Sequence, residues 1–167
     1  WPMIILGIDP GFAITGWGLI NSVANRLSLI EYGAVSTPAG MPFTRRLTAI
    51  RTELSDIIDK YHPEACAVEE LFFNSNTTTA IKVAQGRGVA VETVSSAGIP
   101  VFEYTPLQVK MTVVGYGRAE KKQMQNMVRV YLGLEEIPKP DDAADALAAA
   151  ICHSRSGNAL KKGFKMK

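Results

Sequence analysis

Cysteine and histidine are scarce: Cys66, Cys152, His62 and His153 are all there are in 167 residues. The cysteines lack CxxC spacing and each sits in an apolar segment, so buried reduced thiols without chemistry are expected. His62 falls at the end of a helical pattern, where capping is its expected role. No run approaches the 18 apolar residues of a membrane span, and the N-terminus lacks a basic region followed by an apolar stretch and a cleavage site. A soluble, cytoplasmic protein is expected. Trp1 and Pro2, ahead of Met3, read as a remnant of cloning and stay outside the fold argument. A chain of this length, 47% hydrophobic, suits one domain with a full core and is short for two. That domain is expected over residues 3–156, with 157–167 as a flexible basic tail.

What the chain does have is carboxylate at the ends of apolar elements. Met3-Ile-Ile-Leu-Gly-Ile8 carries no charge and suits a central strand covered on both faces. Asp9 follows, and Pro10-Gly11 is expected to end the strand and turn the chain, leaving Asp9 presented rather than buried. Asp9 could simply hydrogen-bond that turn. A second apolar strand, however, ends in Glu69-Glu70, and a late helix opens with Asp141-Asp142-Ala-Ala-Asp145.

Between these points the pattern is that of an α/β protein with a five-stranded mixed sheet flanked by helices. Ala13 to Ile20 reads as a second strand, with Gly16 and Gly18 admitting another backbone or a ligand. Asn21 to Asn25 reads as a turn and Arg26 to Val35 as a third strand, giving an antiparallel meander. Leu47, Ile50, Leu54, Ile57, Ile58 and Tyr61 lie on one helical face. Glu64 to Glu69 should then return as a parallel crossover onto the first strand. A long helix follows from Asn74, capped by Asn74 or Ser75, to about Ala97, containing Gly86-Arg-Gly88. Each glycine weakens a helix by about 1 kcal/mol relative to alanine, so close packing is expected there, either on the chain's own sheet or on a two-fold copy of the same helix. A fifth strand, Ile99 to Tyr104, precedes a helix begun by Pro106, a second from Glu120 to Leu132, and the last from Asp141 to about Ser154.

Asp142 and Asp145 are three apart on that last helix and share a face near its positive end. A capping box explains part of this, and one of the three aspartates is expected to cap. The remainder of the helix is almost all alanine, which would let it lie close to the sheet and bring Asp142 and Asp145 towards Asp9 and Glu69. Four clustered carboxylates repel one another unless protonated or sharing cations, and an all-oxygen set suits Mg²⁺ or Mn²⁺. Two such ions can activate a water and stabilise the leaving oxygen of a phosphodiester. His153 lies roughly 16 Å further along the helix than Asp142, too far to share a metal with it. Net charge is +2. With these acids gathered in one pocket, the rest of the chain is markedly basic, as an enzyme gripping polyanionic phosphate would be.

Gly7-Ile-Asp-Pro-Gly11, Val68-Glu-Glu-Leu-Phe72, Gln85-Gly-Arg-Gly88, Gln108-Val-Lys110, Gly115-Tyr-Gly-Arg-Ala-Glu-Lys121 and Asp142-Ala-Ala-Asp-Ala-Leu147 together resemble the RuvC family of bacterial Holliday junction resolvases. The resemblance runs from Met3 to about Ser154. It implies an RNase H-like fold and a homodimeric, Mg²⁺-dependent endonuclease that cuts four-way DNA junctions symmetrically in recombination and repair, alongside the RuvA and RuvB branch-migration proteins. Matched residue by residue, it makes Asp9, Glu69, Asp142 and Asp145 the metal-binding catalytic acids. Lys110 and Lys121 become lysines that bind DNA near the scissile phosphate or assist catalysis, Arg118 joins them as DNA-binding, and Phe72 unstacks bases at the crossover. Gly86 and Gly88 are placed at the dimer contact. Of the adjacent acids it selects Glu69, and strand alternation leaves Glu70 to face solvent or steady a neighbouring loop.

Two other classes fit parts of the pattern. An ATPase of the actin and sugar-kinase type also begins with GIDPG but needs a second lobe and a second phosphate loop, for which there is no room. A module that binds junctions without cutting them has no need of four carboxylates that oppose phosphate.

Overall fold

The computed structural model describes residues 2–71, 77–157 and 165–166. The apolar run becomes β1 (Met3–Pro10), the central strand of a five-stranded sheet. β2 (Ile14–Val23) and β3 (Arg26–Ser36) complete the antiparallel meander with it, while β4 (Ala65–Glu69) and β5 (Val101–Tyr104) add in parallel on its other side. The order across the sheet is β3-β2-β1-β4-β5.

Two boundaries differ from the sequence expectation. β1 does not stop before Pro10: its pairing with β2 runs on to Pro10 opposite Thr15, whereas its pairing with β4 ends at Ile8. Proline is tolerated there because the strand has an unpaired side. The β2–β3 hairpin is also tighter than expected. β2 continues to Val23, and only Ala24 and Asn25 turn, with φ of 45° and 67°. Two consecutive positive φ values match the twist of the flanking strands in a two-residue hairpin.

Side chains alternate across the sheet and so define two cores. On one face Leu6, Ile8, Leu19, Cys66 and Val68 pack against α1 (Phe43–Tyr61) and α2 (Thr77–Ser96). The apolar face read from the sequence is the one α1 buries, through Ile50, Leu54, Ile57 and Ile58. His62 closes α1 in the left-handed conformation, its N–H donating to the Ile58 carbonyl. On the other face Ile5, Ile20 and Ala67 pack against α3 (Pro106–Val113), α4 (Lys121–Leu132) and α5 (Asp141–Arg155). Thr105 and Gln108 form a capping box at the start of α3, and Gly133, at φ 62°, ends α4.

The alanine-rich helix settles onto the strands as its composition required. Ala143, Ala144, Ala146, Ala148, Ala149 and Ala150 are all buried. Glycine answers them from the sheet: a methyl group on Gly7 would overlap the Ala146 carbonyl oxygen, and one on Gly16 the Asp142 carbonyl. Main chain thus meets main chain, and α5 is fixed in height over β1 and β2.

Within the chain, the two-glycine stretch of α2 packs on α1 rather than on the sheet. Gly86 is buried against the Ile50 side chain of α1, within 3.5 Å of where a Cβ would lie, while Gly88 is exposed with open space beside it. The expected cap of this helix at Asn74 or Ser75 lies outside the described residues. So does most of the segment expected to be a flexible tail. Lys165 and Met166, however, are not free: Lys165 bridges to Phe102, and the Met166 N–H donates to the Val101 carbonyl at 2.9 Å. β5 is the edge strand, and its unpaired main-chain groups recruit this piece. Both cysteines are free and buried, as expected. Among the described residues no helix is long and apolar enough to cross a membrane.

Candidate active site

Strand register brings the first two acids together. Ile8 pairs with Val68 across β1 and β4, so Asp9 and Glu69 follow one step later on neighbouring parallel strands. Gly7 and Ala67 precede them on the face that α5 covers, and period-two alternation puts both carboxylates on that face. Glu70 falls past the end of β4 and is exposed, its N–H bound to the Tyr104 carbonyl at 2.7 Å.

The first turn of α5 supplies Asp142 and Asp145. No aspartate caps this helix: the N-cap is Pro140, without a side-chain cap bond. The expected capping role is therefore vacated, and the aspartates are left for other work. The contact between Gly16 and the Asp142 main chain holds that turn over β2, and a Cβ on Gly11 would lie 3.6 Å from Asp142 Oδ1.

Asp9 is half-buried rather than fully presented, and its carboxyl is pushed up to about 8. Burial is the largest cause, followed by the charges of Asp145, Glu69 and Asp142, with Lys121 opposing. Burial and Asp145 likewise raise Glu69, against Lys110 and Lys121. Asp145 is raised by burial, opposed by Lys121 and reinforced by Asp142 and Asp141. Asp9, Glu69 and Asp145 are thus each raised within one negative cluster, to which the charge of Asp142 adds.

Lys121, the first residue of α4, reaches into this cluster. Its Nζ lies 3.3 Å from Asp141 Oδ2 and 3.6 Å from Asp145 Oδ2. Burial disfavours its charge, but Asp145, Asp141 and Asp142 more than compensate and raise its pKa. Lys110, on α3, shares with Lys121, Glu69 and Asp145 a cavity of about 280 Å³ floored by Val109, Met124 and Ala148. Arg118, by contrast, is exposed in the loop before α4 and, among the described residues, forms no ion pair with the acids. Phe72 lies outside the described residues. His153 is buried away from the acids, bonded through Nδ1 to the Tyr104 hydroxyl at 2.6 Å and packed on the Phe102 ring. Asp141 is the contact that sequence reasoning missed, because its spacing gave it no role beyond capping.

The donor chemistry fits a hard divalent cation. All four donors are carboxylates, and their mutual repulsion is what such an ion relieves. Among the described residues no three acidic, histidine or cysteine groups already converge tightly enough to grip an ion, and the Lys121 ammonium lies against Asp145 instead.

Residues 5–153 match the family model described as crossover junction endodeoxyribonuclease RuvC. The chain belongs to the RuvC family. Among curated members, the RuvC of Heliobacterium modesticaldum is 61% identical over 154 residues, covering 92% of this chain and 95% of that protein. That of Alkaliphilus oremlandii is 54% identical over 99% of this chain and 100% of its own. Among solved structures, Thermus thermophilus RuvC in complex with a Holliday junction substrate superposes with a TM-score of 0.89 at 35% identity, covering 98% and 99% of the two chains. The yeast mitochondrial resolvase Ydc2, only 11% identical, shares the fold with a TM-score of 0.66. The fold of this RuvC-family chain is therefore the RNase H-like fold of the resolvases.

Proposed function

We propose that this protein is a structure-specific endonuclease that resolves four-way DNA junctions by phosphodiester hydrolysis, in homologous recombination and repair. The observation that carries this is the meeting of β1, β4 and α5 at one negative cluster flanked by Lys110 and Lys121, in a chain of the RuvC family. The nuclease domain is residues 3–156.

In this reading Asp9, Glu69, Asp142 and Asp145 are the catalytic acids and hold Mg²⁺, with two ions per site and Mn²⁺ able to substitute. Bound there, the metal supplies an activated water and stabilises the leaving 3′ oxygen. The chain's own residues place and charge the site. Gly7 and Gly16 set the height of α5 and hence of Asp142 and Asp145, and the sheet register aims Asp9 and Glu69 at them. Lys110 and Lys121 offset the repulsion between the acids and an entering phosphate, Lys121 releasing Asp145 as it turns to the substrate. Arg118 and Phe72 extend the DNA contact, Phe72 by stacking at the crossover.

A four-way junction needs two opposed nicks, which a two-fold homodimer delivers. Gly88 lies on the exposed side of α2 beside a groove formed with α1, and supports a dimer contact there. Gly86, buried on Ile50, serves packing within the chain. The enzyme works in the cytoplasm with the RuvA and RuvB branch-migration proteins. A labelled four-way junction incubated with the protein in Mg²⁺ should yield paired nicks in opposite strands. Equal cutting of a linear duplex of the same sequence would reject the structure-specific reading.

A further inference from the structure

Lys110 and Lys121 account for cations on one side of the acid cluster only. Where α1 and α2 pack, on the sheet face opposite α3 and α4, the β1–β2 loop meets both helices around an aromatic ring that none of the roles above employs. Phe12 stands in the loop between β1 and β2, three residues past Asp9, and is 44% exposed. Its neighbour Gly11 approaches Asp142, a Cβ there lying 3.6 Å from Asp142 Oδ1, so the loop that carries the ring runs past the acid cluster. Arg46 of α1 lies over the ring, with Cζ 5.5 Å from its centroid, and Lys82 of α2 places Nζ 5.5 Å from the same centroid. Lys82 also lies 5.9 Å from the ring of Phe43.

The two cations are not equivalent. Arg46 is tied to its own loop, donating from Nε to the Met41 carbonyl at 3.4 Å and from Nη2 to the Pro38 carbonyl at 3.3 Å. Lys82 sits between two rings and, among the described residues, pairs with no carboxylate. Its charge is held against the two rings and left for a partner. A half-exposed ring beside an uncommitted ammonium is the combination that binds an unpaired nucleotide, the ring taking a sugar or base face and the ammonium a phosphate.

We infer that Phe12 and Lys82, with Arg46 as a fixed support, form a second grip for the DNA strand, on the side of the acids opposite Lys110 and Lys121. Resting on the nuclease reading, this makes the acid cluster the middle of a strand path with cations at both ends. Phe12 then contacts the nucleotide next to the scissile phosphate, and Lys82 the phosphate beyond it.

The test uses the full chain carrying Asp9→Asn, so that binding is read without cutting, and measures junction affinity against salt for Lys82→Gln, Phe12→Leu and Phe12→Ala. Lys82→Gln keeps the aliphatic stem between the rings. It should weaken binding several-fold and reduce the slope of log affinity on log salt by about 0.9. Both Phe12 variants should weaken binding with the slope unchanged, and Phe12→Leu, which keeps apolar bulk, guards against a simple packing defect. Thermal unfolding of each variant is followed alongside. Unchanged affinity and slope in all three, while Lys110→Ala does alter them, would overturn the second grip and leave the nuclease reading standing. If the parent protein failed to prefer a junction over duplex, it is the nuclease reading that would fall.

Discussion

Gly16 lies so close beneath Asp142 that a side chain of even one carbon on it would overlap the Asp142 main-chain carbonyl. Two segments far apart in the chain are locked there backbone to backbone, and the lock sets where the α5 acids stand relative to Asp9, which pairs with Gly16 across β1 and β2. Gly16→Ala should therefore cost about 1–3 kcal/mol of stability, since main chain cannot yield as a flexible side chain can. Gly88→Ala, with open space beside it within the chain, should be neutral or stabilising by about 0.5–1 kcal/mol for the dissociated protomer, as alanine replaces glycine in a helix. Chemical denaturation of both variants, with m-values to confirm two-state behaviour, checks the contrast.

Asp9 should make stability depend on pH in the absence of metal. Its folded carboxyl, at about 8, lies above the usual carboxylate value near 4. A group raised on folding contributes stability that is fully present below the unfolded value and is lost as pH rises through the folded one. Asparagine does not titrate, so Asp9→Asn should match the parent near pH 4 and exceed it increasingly towards pH 9, by more than about 1.4 kcal/mol, the equivalent of one pKa unit. Unfolding in chelator at several pH values reads this directly. A difference that shrank with rising pH would contradict the account of Asp9 as a carboxyl raised by burial and by its acidic neighbours.

Much of this site was legible in the sequence, and for identifiable reasons. The alternation of Gly7 with Asp9 and of Ala67 with Glu69 is a property of strands, and it gave the face once the strands were recognised. The alanine run of α5 announced a close approach to the sheet. The aspartates of that helix were harder, because an acid near a helix start serves capping and catalysis equally, and only the Pro140 N-cap separates them. The Ala24-Asn25 turn was blurred because neither residue is glycine, although both take positive φ. Phe12 and Lys82 could not be associated at all, since nothing local links a loop residue to the second turn of a distant helix. Local spacing reports what one element presents, whereas this contact exists only through the packing of α1 on α2.

Lys121 should act on chemistry more than on stability. Its ion pairs are largely exposed, and such pairs contribute about 0–1 kcal/mol. Lys121→Gln should leave unfolding within that range, slow single-turnover cleavage, and flatten the salt dependence of junction binding. An unchanged salt slope with slowed cleavage would give Lys121 a purely catalytic or structural role, without a phosphate contact in the bound complex.

Of the adjacent acids at the end of β4, Glu69 shares its face with Asp9 and Glu70 is exposed. Glu69→Gln should remove cleavage in both Mg²⁺ and Mn²⁺, and Glu70→Gln should retain most of it. The reverse ranking, in folded proteins of equal oligomeric state, would place the strand one residue out of register.

The central claim is that Asp9, Glu69, Asp142 and Asp145 form one metal-dependent centre for cutting junction DNA. It is tested most directly by Asp9→Asn on a labelled four-way junction, with binding and single-turnover cleavage in Mg²⁺ measured on the same preparation. The account expects binding retained or tightened, because a charge that repels phosphate is gone, and cleavage abolished. Cleavage by Asp9→Asn at the parent rate would contradict it.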